Sequence, residues 1–109
     1  VELAMTAGDM DCAMEAIGSH IGSGLMAAEA VPAVFGIVAA SGGSAVRGIY
    51  GGVNIGDDTD TVATMVGGIL GALEGAGGFP ANYLEQLHRH NHIDLKKLAD
   101  EIWSLYHKN

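Results

Sequence analysis

Asp57-Asp58-Thr59-Asp60-Thr61 places three carboxylates and two hydroxyls in five consecutive residues, directly ahead of a run, 62–73, that carries no charge. Each carboxylate raises the repulsion felt by the others. A helix N-terminus offsets only about half a unit of that charge. Hard divalent cations bind through oxygen, so the residue types point to a magnesium- or calcium-like ligand set. Helix capping is the competing reading. Asp58 as N-cap, with Asp60 and Thr61 in the first turn, would satisfy free backbone N–H groups. One or two acids suffice for a cap, and three with two threonines exceed that need.

Two other chemistries use neighbouring aspartates. An EF-hand loop needs oxygen ligands at alternate positions, glycine sixth and glutamate twelfth. Counted from Asp58, those positions hold Val62 at the fifth, Ala63 at the sixth and Ile69 at the twelfth. The EF-hand fails. Asp58-Thr59-Asp60-Thr61-Val62 also resembles the nucleophile motif of haloacid-dehalogenase-type phosphohydrolases, with Asp58 attacking phosphorus and Asp60 as acid/base. That family requires an apolar strand just upstream, whereas Gly51-Gly52-Val53-Asn54-Ile55-Gly56 is glycine-rich.

The elements that position this cluster read as helices almost throughout, with no strand alternation. The opening Val1-Glu2-Leu3-Ala4-Met5 looks like the tail of a helix. Asp9 caps a helix that runs to about Ile17 and ends near Gly18. Ser23 opens a second, from about Gly24 to Ala40, with a kink or break expected at Pro32. Gly42-Gly43 stops it, and Ser44 starts a third that runs to about Asn54. The fourth begins at the acidic cluster and runs to about Glu74. Gly67, Gly68 and Gly71 inside it cost about 1 kcal/mol each relative to alanine, and tight packing is the expected compensation. Ala63, Gly67, Gly71 and Gly75 form a ridge of small residues, and apolar residues cover the other sides. A helix apolar all round is expected to be buried. Residues 75–80 form a loop, a fifth helix runs from about Ala81 to His90, and Asp94 caps a last one. Leu95, Leu98, Ala99, Ile102, Trp103 and Tyr106 make that last helix an amphipathic cover.

Composition narrows the function further. The chain of 109 residues has a net charge of −8. Ten acids and one base, Arg47, precede Arg89. Such a surface repels phosphate backbones, which argues against nucleic acid. The longest uncharged run, 30–46, is broken by Pro32 and Ser41-Gly42-Gly43-Ser44, so no membrane span is expected. The single Cys12 precludes an internal disulfide and fits a cytoplasmic protein; it reads as a core residue. His88 and His92 lie one helical turn apart, but zinc needs three or four ligands and none completes the set. The glycines between Gly18 and Gly24 serve as a flexible connection or as a phosphate approach.

The run Asn54-Ile55-Gly56-Asp57-Asp58-Thr59-Asp60-Thr61-Val62-Ala63-Thr64-Met65-Val66-Gly67-Gly68-Ile69-Leu70-Gly71-Ala72 resembles the C-terminal signature of the ADP-ribosylglycohydrolase family, relatives of the dinitrogenase reductase-activating glycohydrolase. Glu29-Ala30-Val31-Pro32-Ala33 resembles a second family segment. The resemblance implies an all-α fold and a binuclear site for two Mg2+ or Mn2+ ions. It implies hydrolysis of the glycosidic bond between ADP-ribose and a protein side chain or small molecule. Asp58, Asp60 and Thr61 would be metal ligands, and Asp58 and Asp60 the catalytic carboxylates that hold the cations. Asp57 stands where many relatives carry a small residue and is not a ligand.

The family's other ligands belong to a threonine–aspartate–aspartate motif that residues 1–54 do not contain. Residues 1–109 are therefore expected to be the C-terminal segment of one domain whose N-terminal part is absent, supplying half a metal site and inactive alone. That missing segment becomes a partner, together with the ADP-ribosylated protein or ADP-ribose-containing small molecule. Apolar faces left without it favour self-association. A non-catalytic relative, like the lens crystallins that resemble this family, remains the alternative from another class.

Overall fold

The computed structural model describes residues 1–108, and every regular element among them is helical. The chain divides into two compact units, residues 1–78 and 79–109.

In the first unit, α1 (Glu2–Met5) leads to α2 (Met10–His20), whose N-cap Asp9 accepts the Cys12 N–H at 2.8 Å. That bond satisfies one of the free donors of the first turn. The helix runs past Gly18 to His20. Helix α3 (Ala27–Ala40) starts later than its sequence suggests, with Met26 rather than Ser23 at the N-cap. It is continuous through Pro32. The residue whose carbonyl loses its usual donor there, Ala28, is exposed, so water can take the place of that donor. Helix α4 (Ala45–Asn54) begins where expected, with the Ser44 hydroxyl accepting the Arg47 N–H at 3.5 Å. Glu74 adds a second cap from afar: its carboxylate accepts the buried Ala45 N–H at 2.8 Å.

Helix α5 (Thr59–Glu74) packs against α4 and α3. Its burial corrects the expectation of a helix enclosed on all sides. Val62, Val66 and Leu70, one stripe at four-residue steps, are fully buried, while Leu73 is 70% exposed and Ile69 39%. The small residues that permit the close contact lie chiefly on α4. A Cβ built on Gly52 would stand 2.7 Å from the Ala63 Cα, and one on Gly48 would collide with Leu70 and Val66. Of the expected α5 ridge, Ala63 and Gly67 face α4, whereas Gly71 and Gly75 border open space. Helix packing at such short range needs backbone approaching backbone, which α4's glycines allow.

A single 3-10 turn, Ala76–Gly78, closes this unit. In the second unit, α6 (Ala81–Asn91) ends at His92 in the left-handed region, φ +56°. Helix α7 (Leu95–Tyr106) is capped by Asp94, whose carboxylate accepts the Lys97 N–H at 2.9 Å. On its apolar stripe, Trp103 is 66% exposed.

Candidate metal centre

The acidic turn joins α4 to α5 by a sharp reversal. Gly56 and Asp57 both take positive φ, +95° and +50°. Aspartate tolerates that region better than most residues but less well than glycine. Asp58 then serves as N-cap by position, with φ −84° and ψ 60°, and its carbonyl accepts the Val62 N–H at 3.1 Å. Its carboxylate makes no capping bond. This weakens the capping explanation of the cluster, because a capping carboxylate should accept a first-turn N–H, as Asp9 and Asp94 do.

Among the described residues, the side chains of Asp57, Asp58, Asp60 and Thr61 make no hydrogen bond, and both ion pairs lie on α7, Lys96 with Asp100 and Lys97 with Glu101. Asp60 and Thr61 are exposed and Asp58 is half-buried. Four oxygen-bearing side chains thus stand uncommitted at a helix N-terminus. Their donors suit a hard cation. No group of three or more histidine, cysteine, aspartate or glutamate side chains is disposed to hold a metal ion among the described residues. The turn fits part of an oxygen-ligand site and not a complete cage.

A second segment fastens the turn. The Ser23 carbonyl accepts the Asp58 N–H at 3.2 Å, and the Ser23 hydroxyl donates to the Gly56 carbonyl at 3.1 Å. Ser23 is 1% exposed. Next to it, the Gly24 N–H donates to Glu29 Oε2 at 3.1 Å, and a Cβ on Gly24 would lie 2.8 Å from that oxygen. The glycines of this connection therefore embrace a carboxylate, which opposes a phosphate at the same place. Sequence reasoning missed both roles. Ser23 read as a helix start, and its partner lies 33 residues away.

Three other sequence readings resolve as follows. Cys12 is exposed, not core; about 100° round α2 from Ala13, it lies off the buried stripe of Met10, Ala13, Met14 and Ile17. The hydrogen bond and negative charge of Asp9 push its thiol pKa up, which disfavours a nucleophile. His88 and His92 sit at an exposed helix end, and they belong to no group of three or more metal-binding side chains among the described residues. The phosphohydrolase motif lacks its strand, because residues 45–54 form α4.

No helix among the described residues is long and apolar enough to cross a membrane. A family model described as ADP-ribosylglycohydrolase matches residues 1–109. No curated protein and no solved structure gives a match.

Proposed function

The chain belongs to the ADP-ribosylglycohydrolase family, and from that premise we propose that it forms part of a metal-dependent hydrolase cleaving the glycosidic bond between ADP-ribose and a protein side chain or small molecule. The observation that carries this reading is the uncommitted turn itself: Asp58 at the N-cap without a capping bond, beside Asp60 and Thr61, which have no side-chain hydrogen bond or ion pair among the described residues. In a turn whose only task was to start α5, the Asp58 carboxylate would bond the backbone.

Asp58, Asp60 and Thr61 would hold a cation through their side-chain oxygens. Two Mg2+ or Mn2+ ions there would supply activation of water and orientation of the ribose hydroxyls. The carboxylates of Asp58 and Asp60 would offset the cationic charge at the N-terminus of α5. Asp57, exposed at positive φ, adds negative charge beside the site without being a ligand. The remaining ligands and the general acid/base come from outside residues 1–109, so this chain alone is inactive. Free, exposed Cys12 accords with a cytoplasmic setting.

Hydrolysis of ADP-ribosylated arginine and serine peptides by the full-length protein, with and without magnesium, tests the reading. Turnover should require the metal and disappear in Asp60→Asn with helicity retained. Metal-independent turnover, or full activity in Asp60→Asn, overturns it. No turnover on any ADP-ribosylated substrate favours the non-catalytic, crystallin-like alternative.

A further inference from the structure

We propose that Ser23 is a positioning residue for the acidic turn, fixing through two hydrogen bonds the loop from which Asp58 and Asp60 reach a cation. The inference rests on the metal-site reading above and adds to it a residue far away in sequence. Two residues of the turn, Gly56 and Asp58, are held by one residue: Gly56 through the Ser23 hydroxyl and Asp58 through the Ser23 carbonyl. Between them lies Asp57 at φ +50°. A left-handed residue next to a left-handed glycine is a conformation that local sequence alone does not enforce, so an outside brace has work to do. Ser23 is 1% exposed, so its own end of both bonds is removed from water.

Glu29 extends the brace. Its carboxylate accepts the N–H of Gly24, the residue after Ser23, and fills the space where a side chain at 22 or 24 would stand. The chain of contact runs from the first turn of α3 through Glu29, Gly24 and Ser23 to Gly56 and Asp58. None of these bonds uses the Asp58, Asp60 or Thr61 side chains, which stay free for a ligand.

Supporting partners of metal ligands typically change affinity on the order of 10- to 100-fold when removed. Ser23→Ala keeps the carbonyl bond to Asp58 and deletes only the hydroxyl bond to Gly56, so the lower end, about 10-fold weaker Mn2+ binding, is expected. Ser41 supplies the matched control. It too is 1% exposed, and its hydroxyl donates to Val38 and accepts from Gly43. It stands at the other end of α3, roughly 20 Å away along a 14-residue helix.

The experiment titrates Mn2+ into the full-length protein, wild type, Ser23→Ala and Ser41→Ala, and records the thermal midpoint of each without metal. The inference expects weakened Mn2+ binding in Ser23→Ala alone, while both variants lose thermal stability. Equal binding constants in the two variants overturn it. Glu29→Ala is the second variant, needed if Ser23→Ala does not fold; it frees the Gly24 N–H with the hydroxyl intact and should weaken Mn2+ several-fold, and unchanged binding again overturns the inference. Wild-type protein that takes up no Mn2+ refutes the metal-site reading itself and the inference with it, whereas uptake in wild type with Ser23→Ala unaltered refutes only the role of Ser23.

Discussion

Gly52→Ala and Gly68→Ala should shift stability in opposite directions, although each replaces a helical glycine with the best helix former. At Gly68 the new Cβ meets nothing within 4 Å. Only the helix-propensity gain acts there, about 1 kcal/mol. At Gly52 the new Cβ would stand 2.7 Å from the Ala63 Cα and 3.1 Å from its nitrogen, both backbone atoms of α5. Backbone cannot swing aside as a flexible side chain can, so α4 and α5 must separate. Overpacking of this kind costs typically 1–3 kcal/mol, and a backbone clash belongs in the upper half of that range. After the propensity gain, a net loss of about 1–2 kcal/mol remains. Thermal unfolding followed by circular dichroism reads both effects, since 1 kcal/mol moves Tm by about 4–8 °C in a domain of this size. Gly68→Ala should therefore raise Tm by several degrees, and Gly52→Ala should lower it by at least as much. Ala63 lies one turn from Asp60, so Gly52→Ala should also weaken divalent-cation binding while Gly68→Ala leaves it intact. A stabilised Gly52→Ala protein would refute the close α4–α5 contact.

Three further outcomes follow from single contacts. Asp57→Gly relieves a left-handed residue at φ +50° and should stabilise by up to about 1 kcal/mol in the same melting assay, with cation binding retained. Glu74→Ala strands the buried Ala45 N–H and should cost about 1–3 kcal/mol in a urea titration, whereas Glu74→Gln keeps an acceptor and should cost less. The Lys97 N–H that Asp94 accepts, and the Cys12 N–H that Asp9 accepts, hold these carboxyls below their usual value of 3.8. A carboxyl depressed in the folded state stabilises above its unfolded pKa and loses that contribution as pH falls through the folded value. Helicity should thus decline as pH drops below about 4, and Asp94→Ala should flatten its share of that decline in a circular dichroism pH titration.

Capping residues made much of the fold readable. Asp9, Ser44 and Asp94 each precede a helix that starts where the sequence places it, because a cap acts within three residues of itself. Ser23 has the same chemistry and misleads. Its hydroxyl reaches Gly56 rather than the first turn of α3, and no local pattern reveals a partner 33 residues away. The glycines of α5 drew notice by their number, yet a Cβ at Gly68 or Gly71 would meet nothing within 4 Å, while one at Gly48 or Gly52 of α4 would run into α5. Composition shows that a helix can approach closely; which partner it approaches is a tertiary fact. Cys12 failed for a related reason, since its apolar neighbourhood in sequence was taken for burial. For the acidic turn, residue types and spacing located it at the start of α5, but the left-handed Asp57 and the bonds from Ser23 are tertiary features that no local pattern encodes.

Calorimetric titration of the full-length protein with Mg2+ and Mn2+, wild type against Asp58→Asn and Asp60→Asn, bears most directly on the acidic turn. Saturable uptake in wild type that is lost or greatly weakened in both variants is the predicted result. Uptake unchanged by either substitution would mean that the cations bind elsewhere, and no uptake at large metal excess would mean that these carboxylates serve no cation.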